Sequence, residues 1–138
     1  MYGALDISTS GMAAQRTRMA TISANIANSS SILDAEGNPD PFRRRVAHVA
    51  PGNPDAARAP GRSLGVHVAE IEAKQDAVRL DYRPGSPYAN PDGYVRVPDI
   101  NTATEQINAV MASRAYEANV TAAETTKSMM DLALRLIA

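Results

Sequence analysis

The chain has 138 residues, 14 basic and 15 acidic side chains for a formal charge of -1, and no cysteine. That length allows one small domain with a modest core. The even charge balance leaves no surplus positive potential for a nucleic-acid backbone or an anionic membrane, and without cysteine there are no disulfides, thiolate nucleophiles or common zinc sites.

All nine prolines fall between Pro39 and Pro98. A proline in a helix interior costs about 3 kcal/mol, so the chain divides into helix-permissive ends, 1–30 and 100–138, and a middle, 31–99, of loops and short strands. The predicted fold is mainly α with a small β insert, an α+β arrangement whose two long terminal helices pair as a coiled-coil-like hairpin.

In the first segment Leu5, Met12, Met19 and Ile26 recur every seven residues, with Ser8, Gln15 and Ile22 between them. This is one narrow helical stripe of the width a partner helix covers. The only charges before Asp34 are Asp6, Arg16 and Arg18. A lone helix of this make-up is marginal in water, so it needs something to lie against. The opening residues Met1 to Asp6 have neither the basic region nor the apolar run of a cleaved secretory peptide, and none is expected.

In the middle segment Val66 and Val68, then Val78, Leu80 and Tyr82, then Val95 and Val97 alternate with polar residues between Gly and Pro. These patterns predict three or four short strands, with turns at Pro84-Gly85 and Pro91-Asp92-Gly93. Pro51 to Gly61, rich in Pro, Ala and Gly, reads as a loop or linker.

The last segment follows Pro98, with Asp99 and Asn101 as possible caps and Thr102 with Glu105 as a capping box. Its stripe runs Ile107, Met111, Ala115, Ala118, Ala122, Thr125, Met129, Leu132 and Leu136, leaving Glu117, Glu124, Lys127 and Arg135 to face solvent or neighbours. Alanine at the centre of the stripe suits close approach of helix axes. Asp131 and Arg135 interrupt the final apolar run, so no membrane-spanning helix is expected. A β insert of this size cannot cover both terminal stripes. Their apolar faces are therefore expected to pair with each other and with other chains, giving an oligomer or filament, and not a monomer with a pocket.

Nothing in the chain assembles a catalytic constellation. His48 and His67 lie far from clustered Asp or Glu and read as strand-surface residues, so no metal and no cofactor is expected. Arg43-Arg44-Arg45 sits among Asp34, Glu36 and Asp40 and reads as a solvated face or an intersubunit salt-bridge site. Asp81, Asp92 and Asp99 have no calcium-loop spacing. The serine clusters 8–10 and 29–31 have no partnering histidine and read as caps and turns.

Two end motifs carry a family resemblance. Ser10-Gly11-Met12-Ala13-Ala14-Gln15 followed by Ala24-Asn25-Ile26-Ala27-Asn28 is similar to the N-terminal signature of the flagellar axial rod and hook family. Ser113-Arg114-Ala115-Tyr116-Glu117-Ala118-Asn119-Val120, then Lys127-Ser128-Met129-Met130, resembles that family's C-terminal helix. The stretch Tyr82 to Pro87, then Asn90 to Asn101, looks like the junction of its short proximal-rod, FlgC-type members, with Arg83, Ser86 and Ser29-Ser30 departing from the usual pattern.

The resemblance implies a structural subunit that leaves the cytoplasm through the flagellar type III export apparatus without a cleaved signal. It would assemble in the periplasm on the membrane-embedded basal-body ring and its rod adaptor, packing against itself and other rod proteins in a torque-transmitting shaft. Stripes and motifs together nominate Leu5, Met12, Met19, Ile22, Asn25, Ile26 and Asn28 in the first helix as assembly residues. In the last helix they nominate Ile107, Met111, Ala115, Tyr116, Ala118, Asn119, Ala122, Met129, Leu132 and Leu136. The competing reading is a soluble helical-hairpin adaptor or export chaperone, fully folded alone, with protease-resistant ends.

Overall fold

Helix α1 (Tyr2–Ala27) occupies the proline-free start of the chain in a computed structural model that describes residues 2–52 and 65–137. Just past its end, Asn28 donates both its backbone N–H and its side-chain amide to the Ala24 carbonyl, at 3.1 and 2.9 Å. The chain then turns through 29–44, where Asp34 organises a small loop. Its carboxylate accepts the backbone N–H of Asn38 at 2.7 Å and of Glu36 at 3.0 Å. The backbone bond from Asn38, followed by that residue's side chain, holds the Asp34 carboxyl below the usual range.

Strand β1 (Arg45–Pro51) pairs antiparallel with β2 (Val66–Ala73), with a bulge between His48 and Val49. The sequence pattern did not announce β1, since arginine and histidine interrupt its apolar alternation; its position is set by its contacts with α1 and by Arg44, just before it, reaching α2, as described below. His48 and His67 sit on these strands as expected: His48 Nε2 lies 2.8 Å from Glu72 across the ladder, and His67 Nδ1 lies 2.6 Å from the Gly52 carbonyl. The loop anticipated from Pro51 to Gly61 falls, from residue 53 onward, outside the described residues.

A second antiparallel pair follows, β3 (Val78–Tyr82) with β4 (Tyr94–Pro98). Both predicted turns form between them. Ser86 N–H donates to the Arg83 carbonyl at 3.0 Å, and Gly93 N–H to the Asn90 carbonyl at 2.9 Å. The Asn90 side chain accepts the N–H groups of Asp92 and Tyr94, and Gly93 takes φ +83°, a conformation that favours glycine. Directly beyond the turn Tyr82 and Tyr94 face each other across the ladder, their rings edge to face at 5.2 Å.

Helix α2 (Thr102–Ile137) is capped by Asn101, whose side chain accepts the Thr104 N–H at 3.1 Å. The Thr102/Glu105 capping box does not form: Glu105 lies one position too far into the helix and turns inward, where buried donors await it.

The two helices pack antiparallel, since Asn25 meets Glu105 at one end and Gly11 meets Asn119 further along. Ser8, Gly11, Gln15, Arg18, Ile22 and Asn25 form the buried or half-buried row of α1, at alternating spacings of three and four. Glu105, Ala109, Ala112, Tyr116, Asn119, Ala123, Thr126, Met130 and Ala133 form the matching row of α2. Glycine and alanine let the axes approach. A Cβ at Gly11 would lie 2.7 Å from the Asn119 side-chain oxygen. On its other flank α1 carries the β1–β2 pair, with Ser10, Ala13, Ala14 and Thr17 along a groove beside Val66, His67 and Val68. Ser10 Oγ accepts the Val66 N–H at 3.1 Å and donates to the Ile7 carbonyl at 2.7 Å.

Among the described residues the buried apolar side chains are Ala14, Ile22, Val95, Val97 and Ala112, a thin core for two helices of this length. Replacing Gly11 with alanine is expected to lower stability by about 1–3 kcal/mol through overpacking. Most of that loss should return in an Asn119→Ala background, measured by urea unfolding of the two single variants and the double variant.

Candidate assembly interface

One buried polar cluster fixes where the helices, and hence their outer faces, lie. Asn25 is 0% exposed and Glu105 1% exposed. The Asn25 side-chain amide donates to Glu105 Oε2 at 2.9 Å and to the Arg45 carbonyl at 2.8 Å, while its Oδ1 accepts the Arg45 N–H at 2.9 Å. Arg44 completes the set, donating from Nε and Nη2 to Glu105 Oε1 at 2.9 and 2.7 Å. Asn25 behaves like one more strand residue, pairing with the backbone at the start of β1. Such a carboxylate is stable only because every nearby donor points at it. The arginine run divides its work: Arg43 pairs with Asp40 at 3.2 Å, Arg44 with Glu105, and Arg45 stacks over Phe42 at 5.2 Å.

With this cluster setting the rotation of α2, the apolar stripe read from the sequence does not form the contact with α1. It runs beside that contact, in the open. Ile107, Met111, Ala118, Ala122, Met129, Leu132 and Leu136 are exposed, with Ile107 at 62% and Met129 at 64%. Ala115, Tyr116 and Asn119 are half-buried on or next to the α1-facing row. Asn119 spends its side-chain amide on the Ala115 carbonyl at 2.8 Å. In α1, Ile22 and Asn25 are buried, whereas Leu5, Met12, Met19 and Ile26, like Asn28 just past its end, are half-buried.

The stripe from Ile107 to Leu136 covers 30 helical positions, roughly 44 Å along the axis. Val110 adds exposed apolar surface beside it. Large contiguous exposed apolar areas mark interaction surfaces. Among the described residues no helix is long and apolar enough to cross a membrane. Sequence reasoning missed Glu105, Arg44 and Ala112 as determinants of this arrangement. The available signal was a lone glutamate at a heptad position followed in the same row by Ala109 and Ala112.

Known proteins resemble the chain over nearly its whole length. Residues 5–30 match the family described as flagella basal body rod protein, and residues 92–136 the family described as flagellar basal body rod FlgEFG protein C-terminal. The flagellar basal-body rod protein FlgC of Salmonella typhimurium is 38% identical over 126 residues, 91% of this chain and 89% of that protein. The FlgC proteins of Borreliella burgdorferi and Bacillus subtilis are 34% and 32% identical over 99% and 98% of this chain, in each case 97% of the relative. The two family matches cover most of α1 and the β4–α2 stretch, the parts joined by Asn25 and Glu105.

Glu105→Ala is expected to destabilise the fold by about 1.5–3 kcal/mol, the range for hydrogen bonds to a charged group. Arg44→Ala in that background should add little. A thermal-unfolding double-mutant cycle measures this coupling directly.

Proposed function

The chain belongs to the FlgC-type flagellar basal-body rod proteins, and from that premise we propose how its helices build the rod. It is a structural subunit of the basal-body rod and not an enzyme. Its two helices pair through their inner rows as a coiled-coil-like hairpin, which is the assembly unit, while residues 31–99 form a separate small insert. The outer stripe of α2, from Ile107 through Met111, Ala118, Ala122, Met129 and Leu132 to Leu136, packs against neighbouring subunits. The half-buried Leu5, Met12, Met19 and Ile26 edge of α1 contributes to the same contacts, and Ile22, Asn25, Asn28, Ala115, Tyr116 and Asn119 hold the pair in the geometry they need.

The exposure of that α2 stripe carries the reading. At about 25 cal/mol per Å² of apolar area, covering it on assembly offsets the entropy of ordering helices that have a thin core of their own. Neighbours of two kinds fit this surface: further copies and other rod proteins. The membrane-embedded ring with its rod adaptor would receive the first subunits. Delivery runs through the flagellar type III export apparatus into the periplasm without a cleaved signal, and weakly stabilised helices suit a chain threaded unfolded.

Because Ile107 and Met129 are already exposed in the single chain, Ile107→Asp and Met129→Asp should leave its circular dichroism and export unchanged. Each should abolish rod assembly and motility, since it would bury an unpaired charge at a cost of several kcal/mol. Normal motility in both variants would remove the stripe from the assembly surface. Limited proteolysis separates this reading from a helical-hairpin adaptor. A rod subunit alone should lose its termini first, whereas an adaptor should keep them.

A further inference from the structure

A second exposed apolar surface lies at the other pole of the molecule. Alternation along the β3–β4 ladder puts Leu80, Tyr82, Tyr94 and Arg96 on one face, with Leu80 opposite Arg96 and Tyr82 opposite Tyr94. Leu80 and Tyr82 are 62% and 63% exposed, while Val95 and Val97 on the opposite face are buried. Leu80, Tyr94 and Arg96 continue into a groove of about 250 Å³ with Ile32, Pro39 and Tyr88. Tyrosine and arginine around an apolar centre are the composition of interface hot spots. Among the described residues Arg96 has no ion-pair partner.

At the far end of α2 the exposed leucines flank the α1-facing row on both sides. Leu132 and Leu136 lie on one flank and Leu134 on the other, between 61% and 81% exposed. A helix end apolar on two flanks fits a groove better than a flat surface. Its last carbonyl groups also carry the negative end of the helix dipole, which complements Arg96 on the tyrosine face. The two surfaces cannot meet within one molecule, because β4 leads into the start of α2 at Pro98–Asn101 and the leucines lie at its far end, roughly 50 Å along a single helix.

We infer that the tyrosine face of β3–β4 seats the leucine-bearing end of α2 from a second copy of this chain, making a head-to-tail contact. Such a contact is heterologous: it uses different surfaces on the two partners and repeats without closing unless a rotation brings it round to a ring. The inference rests on the rod-subunit reading and adds the identity of the mating surfaces.

The absence of native cysteine permits a direct test on the full-length protein. Leu80→Cys and Leu134→Cys chains, each checked for unchanged circular dichroism, are polymerised separately and mixed, then oxidised. Cross-linked dimers confined to the mixture are the expected result, and Tyr82→Ser should raise the concentration needed for sedimentable polymer at least roughly tenfold. Polymer that forms without the mixed cross-link, or Leu80→Cys chains that link to one another, would overturn the head-to-tail contact and leave the rod-subunit reading standing. Failure of the unmodified chain to sediment as polymer at any concentration would remove self-assembly and this contact together.

Discussion

Glu105 is the residue on which the arrangement turns. A carboxylate 1% exposed is tolerated only where the donors around it are complete, and here they come from two separate places: Asn25 on α1 and Arg44 just before β1. Because Asn25 also exchanges two hydrogen bonds with the backbone of Arg45, the start of the first strand, the end of one helix and the beginning of the other are tied at a single point. A polar contact of this kind adds less net stability than an apolar one of equal volume. It has one satisfactory geometry, however, and so fixes register and rotation.

Register at that point propagates along the helices. Once Asn25 faces Glu105, Gly11 falls opposite Asn119, and Ala109 and Ala112 between them on α2 let the backbones approach. The consequence is a division of labour on α2. Its inner row is small and polar enough to pair closely with α1, while its bulky side chains, Ile107, Met111, Met129 and Leu132, are left on the outside. In a self-contained domain this distribution would be inverted. In a rod subunit it makes sense, because the larger share of apolar burial is deferred to the contacts between subunits.

The strand pairs serve this arrangement differently. The β1–β2 pair lies along α1, latched by Ser10 to the Val66 N–H and by Asn25 to Arg45. The β3–β4 pair stands off the helices and presents its tyrosines outward. Helix pairing and surface presentation are thus carried by different parts of a short chain, linked through Pro98 and the Asn101 cap.

The sequence alone determined the division into helical ends and an interrupted middle, because proline placement and heptad spacing act locally and need no knowledge of the rest of the chain. The strands at Val66, Val78 and Val95 and the Asn90–Gly93 turn were legible for the same reason, as was the apolar stripe of α2. Tertiary structure alone decided which face of α2 meets α1. A stripe of large apolar residues and a row of small ones both have helical periodicity, and the choice between them depends on where Asn25 and Arg44 arrive in space. It also decided that Glu105 would turn inward instead of capping its helix, and that Arg45–Pro51 would become a strand. Those outcomes rest on hydrogen bonds between residues 20 to 80 positions apart, which no local pattern encodes.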